Sequence, residues 1–415
     1  MSKVPNPADH EQRGSMSASV SEEVEAGLAN KGLKIAKVEP FCLLYPKSPF
    51  VWVYVRVETE EGIVGFGEAD GTVVTPIVAA LQVLGQALIG ESAWNIEGFW
   101  AQHRDEYTHG SVTQAAFSAI DIALWDILGK KLNVPVYALL GGKVNERVRV
   151  YHHPWGREVE SYAGATKQLV SEGIIAGKLD PFRSQGHSRE LTSEELEDAV
   201  RIVQAIREGG GPHFTICVEM HGRFNVATAI RVADAMKPFD PLFIEEPVPG
   251  ENVAAMREVQ RATTLAVATG ERIRNTAEFV PLLEQHACRI LQPDVGHMGG
   301  ITGMKRLCHM ADNYYVTIAP HCCWGPVQSI ASAHVSASSP NFLIQETIGW
   351  LKEILPETLV GAYEYDPQYI DIPEAPGLGI HLPDDFIDRY RVEPMQGDVE
   401  RLRRRRTAAG VRKPA

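Results

Sequence analysis

Basic residues are scarce in this sequence relative to acidic ones. Its 415 residues include 40 Lys and Arg against 53 Asp and Glu, which gives a formal net charge of −13. Seven of the basic residues lie within the last fifteen positions, and they are Arg401, Arg403, Arg404, Arg405, Arg406, Arg412 and Lys413. The rest of the chain is more acidic still, so nucleic acid and anionic membranes are not predicted as partners. At first sight the same balance also disfavours an anionic small substrate.

Long apolar runs and paired-cysteine motifs are also missing. No stretch approaches the roughly 20 apolar residues that span a bilayer. Residues 1–14 are polar and lack the apolar core of a signal peptide, so we expect a cytoplasmic protein. The six cysteines show no CxxC spacing, which predicts reduced and buried thiols.

The first 146 residues divide into a polar leader, residues 1–32, and an α+β block, residues 33–146. The β-rich runs of this block are Ile35–Val38, Val51–Val57 and Val64–Glu68. A long stretch, Val112–Lys131, follows them with apolar residues at helical spacing. We expect the block to fold as a small α+β domain.

From residue 147 to residue 360, short apolar runs alternate with amphipathic segments of helix length. The eight runs are Val148–Tyr151, Ile174–Lys178, Phe214–Val218, Leu242–Ile244, Leu265–Ala268, Arg289–Leu291, Val316–Ala319 and Phe342–Ile344. Eight such units over about 200 residues predict an α/β fold, a (β/α)8 TIM-like barrel. A doubly wound sheet is the alternative, but the sequence lacks the GxGxxG and GxxxxGK[ST] loops that such a sheet would carry.

The end of the chain has a different composition. Residues 361–399 are rich in Pro and Gly, and we expect them to leave the barrel and rejoin the first block. Residues 400–415 are basic and of low complexity, which predicts a disordered tail or, as the alternative, an interaction arm.

Acidic residues follow three successive barrel strands. Glu219, Glu245 and Glu271 are spaced 26 residues apart, about one βα unit, so they occupy the same level of the barrel. One such Glu is usually solvated or salt-bridged. Three in register cannot all stay ionised without a counter-charge, and oxygen ligands suit one Mg²⁺. The sequence therefore predicts a magnesium site at the barrel mouth.

Further polar residues end the other strands. Asp294 and His321 follow neighbouring strands, and a carboxylate bonded to an imidazole gives a general base. His221, two residues after Glu219, points to the same side of its strand. Lys178 ends the second strand and adds positive charge to the mouth. Glu346 ends the eighth strand at the same level, and Asp180, next to the second strand end, is a weaker candidate. The segment His152–Trp155, which includes Trp155 as a candidate for the pocket wall, follows the first strand.

Several motifs together resemble one family. They are Ala119–Asp126 (AIDIALWD), Phe243–Pro247 (FIEEP), Gln292–Asp294 followed by Gly299–Gly300, and Pro376–Gly379 (PGLG). They resemble the mandelate racemase and muconate lactonising enzyme family of the enolase superfamily, over residues 33 to about 385. Lys178–Phe182, Glu219–Asn225 and Ala319–Cys322 are most similar to the gluconate- and galactonate-type dehydratases. The Lys-x-Lys pair of the family's racemases and cycloisomerases is absent, because the second position is Asp180.

The resemblance implies a function and a role for each residue. It implies dehydration of a sugar acid to a 2-keto-3-deoxy acid, catalysed by a homo-oligomer between a dimer and an octamer. Glu219, Glu245 and Glu271 would hold Mg²⁺, which stabilises the enediolate formed when the α-proton leaves. His321, oriented by Asp294, would remove that proton, and His221 would protonate the departing 3-hydroxyl. Substrate contacts would come from Lys178, Asp180, Arg223, Glu346 and Trp155. The α+β block would cap the barrel as a capping domain, and its loops at Pro46–Phe50 and Asp70–Thr75 would select the substrate.

Other functions stay open at this point. A racemase, epimerase or cycloisomerase would keep the fold and change the reaction. A barrel used only for binding or assembly would leave the polar strand ends unused. A metal-dependent hydrolase is disfavoured, because His152 and His153 are adjacent and so point to opposite sides of their strand.

Overall fold

The computed structural model describes residues 33–107, 109–154, 156, 158–182 and 188–408, and of 404–408 only the backbone. The leader, Trp155 and the last seven residues of the predicted tail lie outside the described residues.

The N-terminal block is an α+β domain, as predicted. Its three strands form an antiparallel sheet in the order β1-β2-β3, and β2 is buried along most of its length. Helices of the block pack on this sheet and enclose a second apolar core, separate from that of the barrel. The elements are β1 (Ile35–Leu43), β2 (Trp52–Thr59), β3 (Val64–Ala69), α1 (Val74–Leu88), α2 (Ile96–Tyr107), α3 (Ser111–Leu132) and α4 (Val136–Leu139).

Helix α3 is long and apolar enough to cross a membrane by length and composition alone. Most of its apolar window is buried inside the protein, against β3, α1 and a barrel helix. Its polar groups bond across to the barrel: Trp125 donates to Thr302 (2.8 Å), and Asp121 accepts the Thr302 amide (3.0 Å). This helix therefore fastens the cap to the barrel.

Eight parallel strands among the described residues form the barrel, which confirms the predicted fold class. Neighbouring strands pair in sequence from β5 to β10, and β11 pairs with β4. Single bridges, His152 with Gly177 and Ile318 with Phe342, close the ring. The eighth strand begins three residues later than predicted. The strands are β4 (Arg147–Tyr151), β5 (Ala176–Leu179), β6 (Thr215–Glu219), β7 (Phe243–Glu245), β8 (Val267–Thr269), β9 (Ile290–Leu291), β10 (Thr317–Ile318) and β11 (Gln345–Glu346).

The inside of the barrel is a packed core. One apolar side chain from each strand run contributes to a buried cluster that plugs the barrel. Its members are Tyr151, Ala176, Cys217, Phe243, Ala268, Ile290, Ala319 and Ile344. Because this layer fills the interior, chemistry is confined to the mouth.

A helix follows each strand, and side-chain caps fix where several of them begin. Asn225, Asn252 and Asn275 each accept the backbone amide three residues on, at 2.8, 3.0 and 3.2 Å. Short loops thus carry the polar residues from strand end to helix start. The helices are α5 (Val159–Ser171), α6 (Ser193–Gly210), α7 (Val226–Met236), α8 (Val253–Ala262), α9 (Thr276–Glu284), α10 (Gly300–Asp312), α11 (Pro326–Ala337) and α12 (Leu351–Thr358), with a 3₁₀ turn at Lys237–Phe239.

The C-terminal segment contacts both domains. Strand β12 (Tyr369–Asp371) pairs antiparallel with β4 of the barrel. Helix α13 (Asp384–Tyr390) then leads back to the cap, where the Val392 amide donates to the Cys42 carbonyl of β1 (3.0 Å). The tail predicted to be disordered from residue 400 is instead helical as far as Ala408, within α14 (Pro394–Ala408), because α14 packs on α1.

Candidate active site

Three glutamates meet at the barrel mouth, as the spacing predicts. Glu219 and Glu245 end β6 and β7 as paired neighbours, and Glu271 lies two residues after β8. One carboxylate oxygen from each lies within 4.8 Å of the others. Glu219 and Glu245 are buried, and Glu271 keeps 12 % of its side chain exposed, towards the cavity. Parallel strands bring residues 26 positions apart to one point.

This cluster holds more negative charge than its neighbours balance. Lys178 Nζ lies 2.8 Å from Glu245 Oε1 and 3.3 Å from Glu219 Oε2. Burial would raise the pKa of Glu245, but the contacts with Lys178 and Glu219 together outweigh it and lower that pKa. Burial, and then repulsion from Glu245, raise the pKa of Glu219. Glu245 Oε2 is buried and has no hydrogen-bond partner among the described residues, so the donor set fits a divalent cation.

An imidazole–carboxylate pair lies beside the cluster. His321 Nδ1 is 2.6 Å from Asp294 Oδ2, which also accepts from Trp324 Nε1 (2.9 Å). Burial would raise the pKa of Asp294, but His297 and His321 outweigh it and lower that pKa. Asp294 is therefore ionised. Burial would lower the pKa of His321, but Cys323, Glu346 and Asp294 together outweigh it and raise that pKa well above its usual value, which makes this imidazole a strong base. Its Nε2 lies 3.5 Å from Glu271 Oε2, facing the cluster.

A second histidine is oriented in the same way. His221 Nδ1 lies 2.8 Å from Asp180 Oδ2, while both terminal guanidinium nitrogens of Arg223 contact the same carboxylate, at 2.9 and 3.2 Å. His221 has a left-handed backbone (φ +50°) and is 41 % exposed in the cavity. Its own amide donates to Glu219 Oε1 (2.5 Å), which ties this histidine to the acidic cluster.

The sequence predicts that Asp180 and Arg223 contact the substrate, but in the structure Asp180 contacts both Arg223 and His221. Both oxygens of Asp180 are engaged by His221 and Arg223, and Oδ1 also accepts the Phe182 amide (2.8 Å). Asp180 still lines the cavity, whereas Arg223 does not among the described residues. The geometry favours these two residues as supports for His221.

Glu346, at the end of β11, is a further charged residue beside the glutamate cluster. Its Oε2 accepts the Cys322 amide (3.0 Å), and its Oε1 lies 3.0 Å from His153 Nε2 and 3.3 Å from Lys178 Nζ. Burial would raise the pKa of Glu346, but Lys178, His321 and His153 lower it to about 2. Glu346 is therefore a fixed anion that holds Lys178 and His153 in place.

The cap completes a cavity of about 400 Å³ over these groups. Residues of both predicted cap loops reach it, and Phe50 packs on Trp324 with ring centroids 4.9 Å apart. Cys323, the one partly exposed thiol of the six cysteines, also lines it. The lining comprises Pro49, Phe50, Asp70, Thr72, His153, Lys178, Leu179, Asp180, Glu219, His221, Glu271, Arg272, Arg274, His297, His321, Cys323, Trp324, Glu346, Ile348 and Trp350.

Sequence reasoning missed several of these residues. Arg272 Nη2 lies 3.0 Å from Glu271 Oε1, and its Nε donates to Glu246 (2.6 Å), so it fixes Glu271. His297 and Arg274 both contact Asp70 Oδ2 of the cap, each at 3.0 Å. The position of Arg272 directly after Glu271 could have indicated its role. The contacts of Asp70 span more than 200 residues and leave no local signal.

We expect Asp70→Asn to destabilise the protein by about 1–3 kcal/mol at pH 7, because it weakens charged hydrogen bonds between cap and barrel. Burial would raise the pKa of Asp70, but His297 and Arg274 outweigh it and hold that pKa well below its usual range. Because the pKa of Asp70 is lower in the folded protein than in the unfolded chain, its contacts contribute their full stability above the unfolded-state pKa of about 4. That contribution is lost as the pH falls from there towards the folded-state pKa. Urea unfolding between pH 7 and pH 3 measures the free energy of unfolding of both proteins. The difference between variant and wild type should be constant down to about pH 5 and should become smaller below that pH. Equal stability of Asp70→Asn and the exposed-site control Asp105→Asn would contradict the prediction.

A (β/α)8 barrel with glutamates on three successive strands, capped by an α+β domain, defines the enolase class of enzymes. Two family models match the chain: "Mandelate racemase / muconate lactonizing enzyme, N-terminal domain" over residues 47–141 and "Enolase C-terminal domain-like" over residues 161–386. The chain belongs to the mandelate racemase/muconate lactonizing enzyme family of the enolase superfamily. The resemblance seen in the sequence is thereby confirmed.

Individual relatives and solved structures are similar to the chain over most of its length. The chain is 31 % identical over 394 residues to a D-gluconate dehydratase of Thermoproteus tenax, covering 89 % of this chain and 78 % of that protein. It is 34 % identical over 359 residues to a D-galactonate dehydratase of Ralstonia nicotianae, covering 84 % and 93 %. A solved enolase superfamily member from Salmonella Typhimurium superposes with a TM-score of 0.81 at 31 % identity, covering 87 % and 100 %. Dehydratases are carbon–oxygen lyases, so these relatives confirm the predicted enzyme class.

Proposed function

We propose that this protein is a Mg²⁺-dependent acid-sugar dehydratase that converts an aldonate, such as gluconate or galactonate, to the 2-keto-3-deoxy-aldonate. The observation that carries the proposal is the pair of carboxylate-oriented histidines, His321 and His221, flanking the glutamate cluster in one cavity. Removal of an α-proton and expulsion of a β-hydroxyl need one base and one acid at such positions.

Glu219, Glu245 and Glu271 are the residues that would hold Mg²⁺. When bound, the ion supplies positive charge that attracts the substrate carboxylate and stabilises the negative charge that develops on it. A bound ion would therefore let an acidic protein take an anionic substrate, contrary to the expectation from net charge alone. Lys178 adds a second cation at the same point, held 3.3 Å from Glu346.

The two histidines have different tasks. His321 accepts the α-proton at Nε2, and the ionised Asp294 stabilises the resulting imidazolium through Nδ1. His221 is bound at Nδ1 by Asp180, so its Nε2 donates a proton to the leaving 3-hydroxyl. Burial would raise the pKa of Asp180, but His221 and Arg223 together outweigh it and lower that pKa, so Asp180 stays ionised and orients His221.

Several predictions about this function remain as proposals. Lys178 and Glu346 would contact the substrate carboxylate region, and Trp155 would line the pocket. The cytoplasmic location and the homo-oligomeric state, between a dimer and an octamer, are also proposals.

The test is incubation with a library of aldonates and aldarates, with and without EDTA, followed by detection of 2-keto acid. We expect product from at least one aldonate, and loss of product with EDTA that added Mg²⁺ restores. Exchange of the α-proton in D₂O without loss of water would instead indicate a racemase or epimerase. If no compound shows turnover or exchange, the dehydratase proposal is wrong and a binding or assembly role is favoured.

A further inference from the structure

Helix α1 begins without a cap of its own. Its N-cap residue is Val73, whose apolar side chain cannot accept the free amides of the first turn. Asp398 of helix α14, more than 300 residues later, supplies the acceptor. Its two carboxylate oxygens accept the amides of Val74 (2.9 Å) and Thr75 (2.8 Å). A carboxylate at this position is stabilised by the amides and by the helix dipole.

The start of α1 is one anchor of the loop that walls the cavity. Asp70 and Thr72, within four residues of Val74, line the cavity. Asp70 fastens the loop to the barrel through Arg274 and His297. The loop is therefore held at one end by the barrel and at the other by Asp398.

Helix α14 also packs on the second cap loop. A Cβ added at Gly397 would lie 3.3 Å from both methyl groups of Val51, which directly follows the cavity residue Phe50. The Val51 carbonyl in turn packs on Gly71, where an added Cβ would lie 2.1 Å from its oxygen. One face of α14 thus contacts the bases of both loops that close the cavity.

We propose that Asp398 is a positioning residue, which fixes the two cap loops over the active site from the C-terminal helix. Arg401, 7 % exposed, supports it with Nε 3.9 Å from Asp398 Oδ1. This inference rests on the proposed function only for its kinetic readout. It assigns the C-terminal helix the task of shaping the wall of the cavity that meets the substrate.

The test compares Asp398→Ala with wild type in two measurements. Loss of a helix cap favours open loop conformations by up to about tenfold, so KM for the aldonate identified above should rise about fivefold to tenfold while kcat changes less than twofold. Hydrogen–deuterium exchange, which needs no substrate, should quicken by a similar factor at the amides of residues 70–75. Asp398→Asn keeps one acceptor oxygen, so its KM and its exchange rates should lie between those of wild type and those of Asp398→Ala.

Glu393→Gln is the matched control, because its side chain is exposed and precedes the same helix. It should match wild type in both measurements. Unchanged exchange at residues 70–75 in Asp398→Ala would overturn the proposal, as would a fall in kcat with KM unchanged. If wild type turns over no aldonate, the dehydratase function fails, while the exchange measurement still decides the positioning role.

Discussion

His321→Asn is expected to lower kcat by about 10³-fold or more, since proton transfer by a positioned side chain contributes on the order of 10²–10⁴. Asparagine can still bond to Asp294, which here accepts from His321 at 2.6 Å, but it offers no basic nitrogen to the α-carbon. The variant should also lose exchange of the substrate α-proton in D₂O. NMR of the substrate in D₂O together with a keto-acid assay checks both results.

His221→Asn gives the matched comparison. This variant keeps the base, so it should retain α-proton exchange while losing elimination of water. His213→Asn, at an exposed histidine, should change neither reaction. If His321→Asn still exchanged the α-proton at the wild-type rate, the base would have to be another residue and the assignment of His321 would be wrong.

Glu271→Gln is expected to weaken Mg²⁺ binding by about 100-fold or more and to lower turnover accordingly. Removing one of the three proposed anionic ligands should cost more than the 10–100-fold typical for residues that only support a ligand. Glu271 suits this experiment because Lys178 contacts Glu219 and Glu245 instead, so the lysine network stays intact. Isothermal titration with Mg²⁺ measures the affinity directly.

Thermal unfolding provides an independent readout of the same site. A cation that binds only the folded protein raises Tm with its concentration, so Mg²⁺ should stabilise wild type far more than Glu271→Gln at equal concentration. Glu284→Gln, which removes an exposed carboxylate at the end of α9, should behave as wild type. Equal Mg²⁺ affinity in all three proteins would show that Glu271 is not a ligand.

The sequence predicted most of the site because a barrel converts spacing into position. Glu219, Glu245 and Glu271 recur at the length of one βα unit, and parallel strands bring such residues to one mouth. The same rule placed His321 beside Asp294. It could not predict that Asp180 would bond to His221 and Arg223, since that depends on how two loops fold towards each other.

The boundaries were harder to predict than the elements. Helix α14 has a basic, weakly periodic sequence that by itself indicates a disordered tail. It is helical through Ala408 because Gly397 fits against Val51 and Asp398 caps α1, which are contacts with residues more than 300 positions away. The local sequence pattern of α14 does not indicate contacts with residues so far away in the chain.

By itself, the sequence determined the fold class, the family and the set of polar groups at the strand ends, because each of these depends on a repeat or a motif along the chain. Only the tertiary structure decided which of those groups face each other. It placed Lys178 among three carboxylates, oriented His221 through Asp180, and closed the cavity with Asp70 and Phe50 of the cap. These contacts join residues far apart in the chain, and only packing between two domains brings them within bonding distance.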